Sequence, residues 1–218
     1  MKRSGEVVLS LGTIIAYLVM VGMNALANVL PINGITTGEV SDLYGNLFAP
    51  AGITFSIWGL IYLLLGAYCI YQFKYIKNKD RKWRLLNGIN LLFLFTSIVN
   101  SIWIVFWHYS LIGSTLILMI LLLISLILIG LFAREVPVST SNFLFITLPF
   151  SVYFGWISVA TIANVTAYLV KTQWGGLGLS PVIWTVFILI TGLAIGALTT
   201  IFFKDKAYGL VFIWAYLG

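Results

Sequence analysis

Six runs of more than twenty mostly apolar residues, at 7–30, 47–71, 85–108, 111–132, 143–169 and 181–203, dominate this chain. About 20 such residues in helical form cross the hydrocarbon of a bilayer, where every backbone N–H and C=O must find its partner within the protein. The runs are continuous and do not alternate over about ten residues, which excludes a transmembrane β-barrel. Hydrophobic residues make up 61% of the 218 and charged residues only 8%, with a mean hydropathy of +1.07. A water-soluble fold of this composition would have almost nothing to hydrate its surface. The expected fold class is therefore all-α, a polytopic membrane protein with six spanning helices. The tail 207–218 would be about 18 Å long as a helix, too short to span. It is either an interfacial or partial helix or a truncated seventh span.

The net charge of +6 does not point to nucleic acid, because the cations fall in short clusters between apolar runs. With the N-terminus inside, Lys2, Arg3, six cations of 74–84, Arg134, Lys204 and Lys206 lie on one side and Lys171 alone on the other. That asymmetry places the N-terminus in the cytoplasm and 31–48 outside, with a bacterial cytoplasmic membrane as the expected location. The start, Met1-Lys2-Arg3 with Ala25-Leu26-Ala27 further on, has the outline of a signal peptide. The apolar run is longer than the usual h-region of about 7–15 residues, so a retained first helix is expected. Cys69, the single cysteine, reads as a small packing residue within a span.

Several spans carry an ordered face. In 47–71, with Pro50 read as part of the first helical turn, Phe55, Trp58, Tyr62 and Gly66 follow i, i+3, i+7, i+11. Such a stripe suits either interhelical packing, with Gly66 admitting a neighbour, or one wall of an apolar cavity. Thr96, Asn100, Trp103 and Trp107 share a face of 85–108, and Tyr153, Trp156, Ala160 and Asn164 repeat the first spacing in 143–169. Tyr17, Val21, Asn24 and Asn28 share a face of 7–30, where amides must turn toward protein or a cavity. The run 111–132 is Leu/Ile-rich all round and is expected to be the most lipid-exposed helix. His108, the only histidine, stands at a span end and reads as interfacial. The segment 31–48 is long and glycine-bearing, with the acids Glu39 and Asp42 and no base, which suggests a lid. No nucleophile–base pair, metal-ligand cluster or phosphate-binding loop is present, so no catalytic or metal residue is assigned.

The order of these motifs resembles the TspO/MBR family of tryptophan-rich sensory proteins, the translocator-protein family. Pro50, Phe55, Ile57-Trp58, Tyr62 and Gly66 match its second-helix pattern. Asn100, Trp103 and Phe106 match the third, and Pro149-Phe150, Trp156, Ala160 and Asn164 the fifth. Phe48-Ala49-Pro50-Ala51-Gly52 stands where the family has Trp-x-Pro-Pro. The resemblance implies a five-helix TspO-like domain over 1–170, with 171–218 as a C-terminal transmembrane extension. It also implies an aromatic pocket for porphyrins, haem-related tetrapyrroles or sterol-like molecules, bound as ligands rather than as an obligatory cofactor. The residues expected around the ligand are Phe55, Trp58, Tyr62, Asn100, Trp103, Trp107, Tyr153, Trp156 and Asn164. The expected role is sensor, carrier or scavenger, any turnover being light-dependent porphyrin breakdown. Membrane lipid is the expected partner, and a homodimer stays open. A secondary transporter of a small solute is the alternative, disfavoured because no acid or base lies well inside a span.

Overall fold

The computed structural model describes residues 3–75 and 81–218, so 76–80 of the basic run at 74–84 lie outside the described residues. Its helices are α1 (Arg3–Val29), α2 (Thr37–Asp42), α3 (Ile57–Tyr71), α4 (Arg81–His108), α5 (Ile112–Glu135), α6 (Thr140–Asn142), α7 (Leu148–Lys171), α8 (Pro181–Phe203) and α9 (Lys206–Leu217). No strand occurs among the described residues. Six segments are long and apolar enough to cross a membrane: Gly5–Val29, Gly52–Lys74, Arg84–His108, Ile112–Glu135, Thr140–Lys171 and Pro181–Phe203. The protein is thus an all-α polytopic integral membrane protein.

α4 packs between α1 and α5, and α7 packs against α5, α3 and α9. Small and hydroxylated residues set these seams. The Tyr17 hydroxyl donates to the Tyr62 carbonyl at 2.8 Å, and a Cβ on Gly66 would lie 2.8 Å from that hydroxyl. Gly66 therefore leaves room for a phenol from α1. Asn24 donates to Met20 O and, across to α4, to Asn100 Oδ1 at 2.8 Å. Cys69 is buried and unpaired. Glu6 is the one buried carboxylate among the described residues. It sits in the first turn of α1, where the helix dipole favours an anion.

The structure differs from the sequence expectations in several places. The run 111–132 is not the most exposed: α5 buries Thr115, Met119, Leu122, Ser125, Leu126 and Ile129 between α4 and α7. That position falls to α8, which buries only Gly192 and Gly196. Apolar composition cannot separate the two, because lipid tails and protein cores are equally apolar. Pro50 lies ahead of its helix, since Ala51 is extended (ψ 148°) and the chain enters α3 through a 3₁₀ turn, Gly52–Ser56. The segment 31–48 contains α2, whose capping box pairs Thr36 N–H with Glu39 Oε2 (2.6 Å) and Glu39 N–H with Thr36 Oγ1 (3.4 Å). His108 is fully buried, with Nδ1 2.7 Å from Ile104 O. Finally, a π turn over Phe143–Thr147 precedes α7. Pro149 has no N–H to give the preceding turn and its ring crowds the carbonyl there, and a widened turn relieves both.

α9 is docked on the bundle. Tyr208, Val211 and Phe212 are buried in the common core, and Gly155 of α7 lets the α9 backbone come close. Its far end reaches the broken approach to α3. Trp214 Nε1–H donates to Thr54 O (3.0 Å), and Ala51 N–H donates to Gly218 O (2.9 Å). Non-helical backbone within a bundle needs such partners, because the hydrocarbon offers none.

Candidate ligand chamber

The approach to α3, the C-terminal parts of α4 and α7, and α2 with the strap 45–50 behind it enclose one chamber. Its first wall is ring on ring. Trp156 of α7 meets Phe55 edge-on at 5.8 Å and Trp58 edge-on at 6.3 Å. The facing wall is a stacked indole pair on α4, Trp103 and Trp107, 5.4 Å apart and 17° from parallel. Alternating edge and face contacts of this kind suit the aromatic quadrupole and leave flat surfaces toward the cavity. Trp107 also donates from Nε1 to Thr37 O at 3.1 Å, which ties α2 down as a roof.

Of the residues expected around a ligand, Phe55, Trp58, Asn100, Trp103, Trp107, Trp156 and Asn164 line this chamber. Tyr62 and Tyr153 do not. They stand behind Trp58, stacked at 5.5 Å and tilted at 6.0 Å respectively, and hold its indole in place. Sequence reasoning missed the roof residues Thr37, Ser41 and Asn46, and Met119 of α5. Met119 gave no signal within its uniformly apolar helix. The small residues Ala163 and Ala167, one and two turns beyond Ala160 on α7, were visible only as a continuation of its face.

The polar groups of the chamber are incompletely paired. Asn100 accepts from Asn24 through Oδ1, and its Nδ2, beside the Tyr153 hydroxyl, makes no well-formed hydrogen bond; Asn164 bonds through Nδ2 to Ala160 O, which leaves its Oδ1 without a partner. Trp103 Nε1 and Thr37 Oγ1 are likewise unpaired. Each buried unpaired group costs about 1–3 kcal/mol, so four around one cavity call for water or a ligand. Two of them, Asn100 and Trp103, offer donors, and Asn164 offers an acceptor. No lining residue is charged. Glu39, on the exposed side of the roof, is engaged in its own cap, and the Thr36 N–H holds its carboxyl below the usual range. Among the described residues no group of His, Cys, Asp or Glu could hold a metal ion.

The chamber leaves about 60 Å³ for the centres of water molecules, room for a few waters. It can solvate or hydrogen-bond a small neutral molecule as it stands, and a larger ring system needs the strap to move.

The fold and the site together define an integral membrane helical bundle with a roofed, tryptophan-walled chamber between its helices. The profile of the TSPO-like protein family matches residues 9–218, and the chain belongs to that family. The match runs through 171–218, which the sequence motifs had left as an extension. No curated protein and no solved structure gives a significant match.

Proposed function

We propose that the protein binds a tetrapyrrole or another flat, apolar small molecule in the chamber and serves as its sensor, carrier or scavenger. The observation that carries this reading is the set of unpaired polar atoms on Asn100, Trp103, Asn164 and Thr37, gathered on one cavity whose other walls are indole and phenyl rings. Ring faces supply stacking, and the few polar atoms fix orientation. The roof segment carries Glu39 and Asp42 and no base. A neutral or basic edge is therefore favoured there, and the acid side chains of a porphyrin would have to face water. In the proposed orientation Lys171 marks the outer end, with Arg134, Lys204 and Lys206 on the cytoplasmic side.

The test is tryptophan-fluorescence quenching by protoporphyrin in the purified protein, with Trp58→Phe and Trp156→Phe. Each variant is expected to lose part of the quenching. Quenching unchanged in both would remove the chamber as the site.

A further inference from the structure

A roomier cavity than the chamber stands at this end of the molecule. It lies beside it, between the end of α7, the turn before α8 and the first turns of α8, and leaves about 650 Å³ open to water centres against about 60 Å³ in the chamber. We infer that this cavity is a vestibule: a second binding site for flat, uncharged ring compounds, from which they pass into the chamber when the strap 46–48 swings aside. The transfer rests on the proposed function of the chamber, while the vestibule as a site stands on its own geometry.

That geometry is specific. Trp174 and Trp184 form a wall, their rings 4.8 Å apart at 63°. Trp184 is locked by Nε1–H donation to Gly176 O at 2.6 Å. A Cβ on Gly176 would lie 3.0 Å from that same nitrogen, so only glycine seats the indole this closely. Gly176, Leu177 and Gly178 are all left-handed, at φ 61°, 53° and 80°. Leu177 pays for this conformation as a non-glycine residue, a strain that persists only where the surroundings impose it. No residue lining the vestibule is charged. Its hydroxyls are spent on their own helices, Thr166 on Ala163 O (2.7 Å) and Thr185 on Pro181 O (2.9 Å). It therefore holds rings mainly by contact, with the Trp174 indole N–H as a donor, whereas the chamber adds the unpaired amides that hold a molecule in one pose.

The partition between the two is thin and weakly anchored. Asn46 lines both cavities, Leu47 and Phe48 line the vestibule, and Ala49 and Pro50 line the chamber. A third cavity of about 170 Å³ flanks the same segment on the side of Tyr216. The hydrogen bonds of the strap are local: Asn46 to Tyr44 O, Phe48 to Asn46 Oδ1 and Ala49 to Asn46 O. The first tie to another element comes at Ala51, on Gly218 O. A segment with space on three sides and no interhelical bond opens at the low end of local stability. Where α7 runs from the chamber toward the vestibule residues Thr166, Leu169 and Val170, the chamber is lined by Ala163, Asn164 and Ala167, two of them small.

The experiment is stopped-flow quenching in nanodiscs by protoporphyrin dimethyl ester, an uncharged flat ring compound. The arms are the wild type, Trp174→Phe/Trp184→Phe, Trp58→Phe/Trp156→Phe, and two variants that fill the vestibule from opposite sides, Ile188→Trp and Leu169→Trp, each accepted if it melts with the wild type. Quenching is expected in two phases, the faster lost with Trp174 and Trp184 and the slower with Trp58 and Trp156. Filling the vestibule should slow the second phase at least about tenfold and leave its final amplitude unchanged. An unaltered second phase in both filled variants, or no quenching at Trp174 and Trp184, overturns the inference. So does native mass spectrometry in which the filled variants lose a bound phospholipid while porphyrin kinetics stay the same, which would assign the cavity to an acyl chain. Saturable quenching at Trp174 and Trp184 with none at Trp58 and Trp156 would keep the vestibule as a site and remove the chamber's proposed function. Quenching at neither pair overturns both.

Discussion

Gly155→Ala adds one methyl group where α7 and α9 touch. The new Cβ would lie 2.9 Å from Val211 Cβ and 3.0 Å from the Tyr208 carbonyl oxygen. Carbon pairs rest at about 3.5–4.0 Å, so α9 must yield by roughly half an ångström or more. One obstacle is backbone, which cannot rotate away as a flexible side-chain tip could. Overpacking of this kind costs about 1–3 kcal/mol. Against it stands the helix preference of alanine over glycine, about 1 kcal/mol. If α9 moves, the hydrogen bonds Trp214–Thr54 and Ala51–Gly218 weaken with it, each worth about 1 kcal/mol. A net loss of about 1–3 kcal/mol is expected. Gly59→Ala is the control, because a Cβ there meets nothing within 4 Å. That variant should be neutral or stabilised by up to about 1 kcal/mol. Reversible unfolding in detergent gives the stabilities, and amide hydrogen exchange over 51–56 reports the strap's anchor. Faster exchange in Gly155→Ala alone is the expected pattern. A Gly155→Ala protein as stable as the wild type, or a Gly59→Ala protein equally damaged, would refute the reasoning from close approach.

Three further outcomes are expected. Asn24→Leu and Asn100→Leu should each destabilise by about 1–3 kcal/mol by orphaning the other amide, and the double variant should cost less than their sum by about 0.6–2 kcal/mol; strict additivity in unfolding would contradict the interhelical bond. Because the Thr36 N–H holds the Glu39 carboxyl low, the cap of α2 is intact above the ordinary carboxylate pKa and is lost as pH falls through the lowered value. Amide exchange in α2, corrected for its intrinsic pH dependence, should rise across that acidic window in the wild type and show no such step in Glu39→Gln. Trp107→Phe removes the donor to Thr37 O, and faster exchange across α2 at neutral pH is expected, with α4 itself unaffected.

The spans and the rings were legible because both follow from local rules. Length and apolarity mark a helix that can cross a bilayer, and the 3.6-residue period places Trp58, Asn100, Trp103, Trp156 and Asn164 on faces that the bundle then turns toward one cavity. Tyr62 and Tyr153 show the limit of that rule: they share the faces of Trp58 and Trp156, yet depth along the helix puts them behind the indole wall. What stayed hidden depends on partners remote in sequence. The extended Ala51 is tolerated because Gly218 accepts its N–H, and nothing near Ala51 announces this. The exposure of α8 and the burial of α5 follow from neighbours, since leucine serves lipid and protein alike. The capping box of α2 was readable from Thr36 and Glu39, but only with the spacing rule applied to a stretch that glycines made look unstructured.

The tie between α9 and the approach to α3 joins positions 160 residues apart, Thr54 and Trp214. A ribosome delivers one long before the other. While α3, α4 and α7 enter the bilayer in turn, the amide of Ala51 and the carbonyl of Thr54 have no permanent partner, and the chamber has tryptophan walls but an unsecured edge. Only when α9 folds back onto Gly155 does that edge acquire its anchor. An early part of the site is thus among the last to be secured.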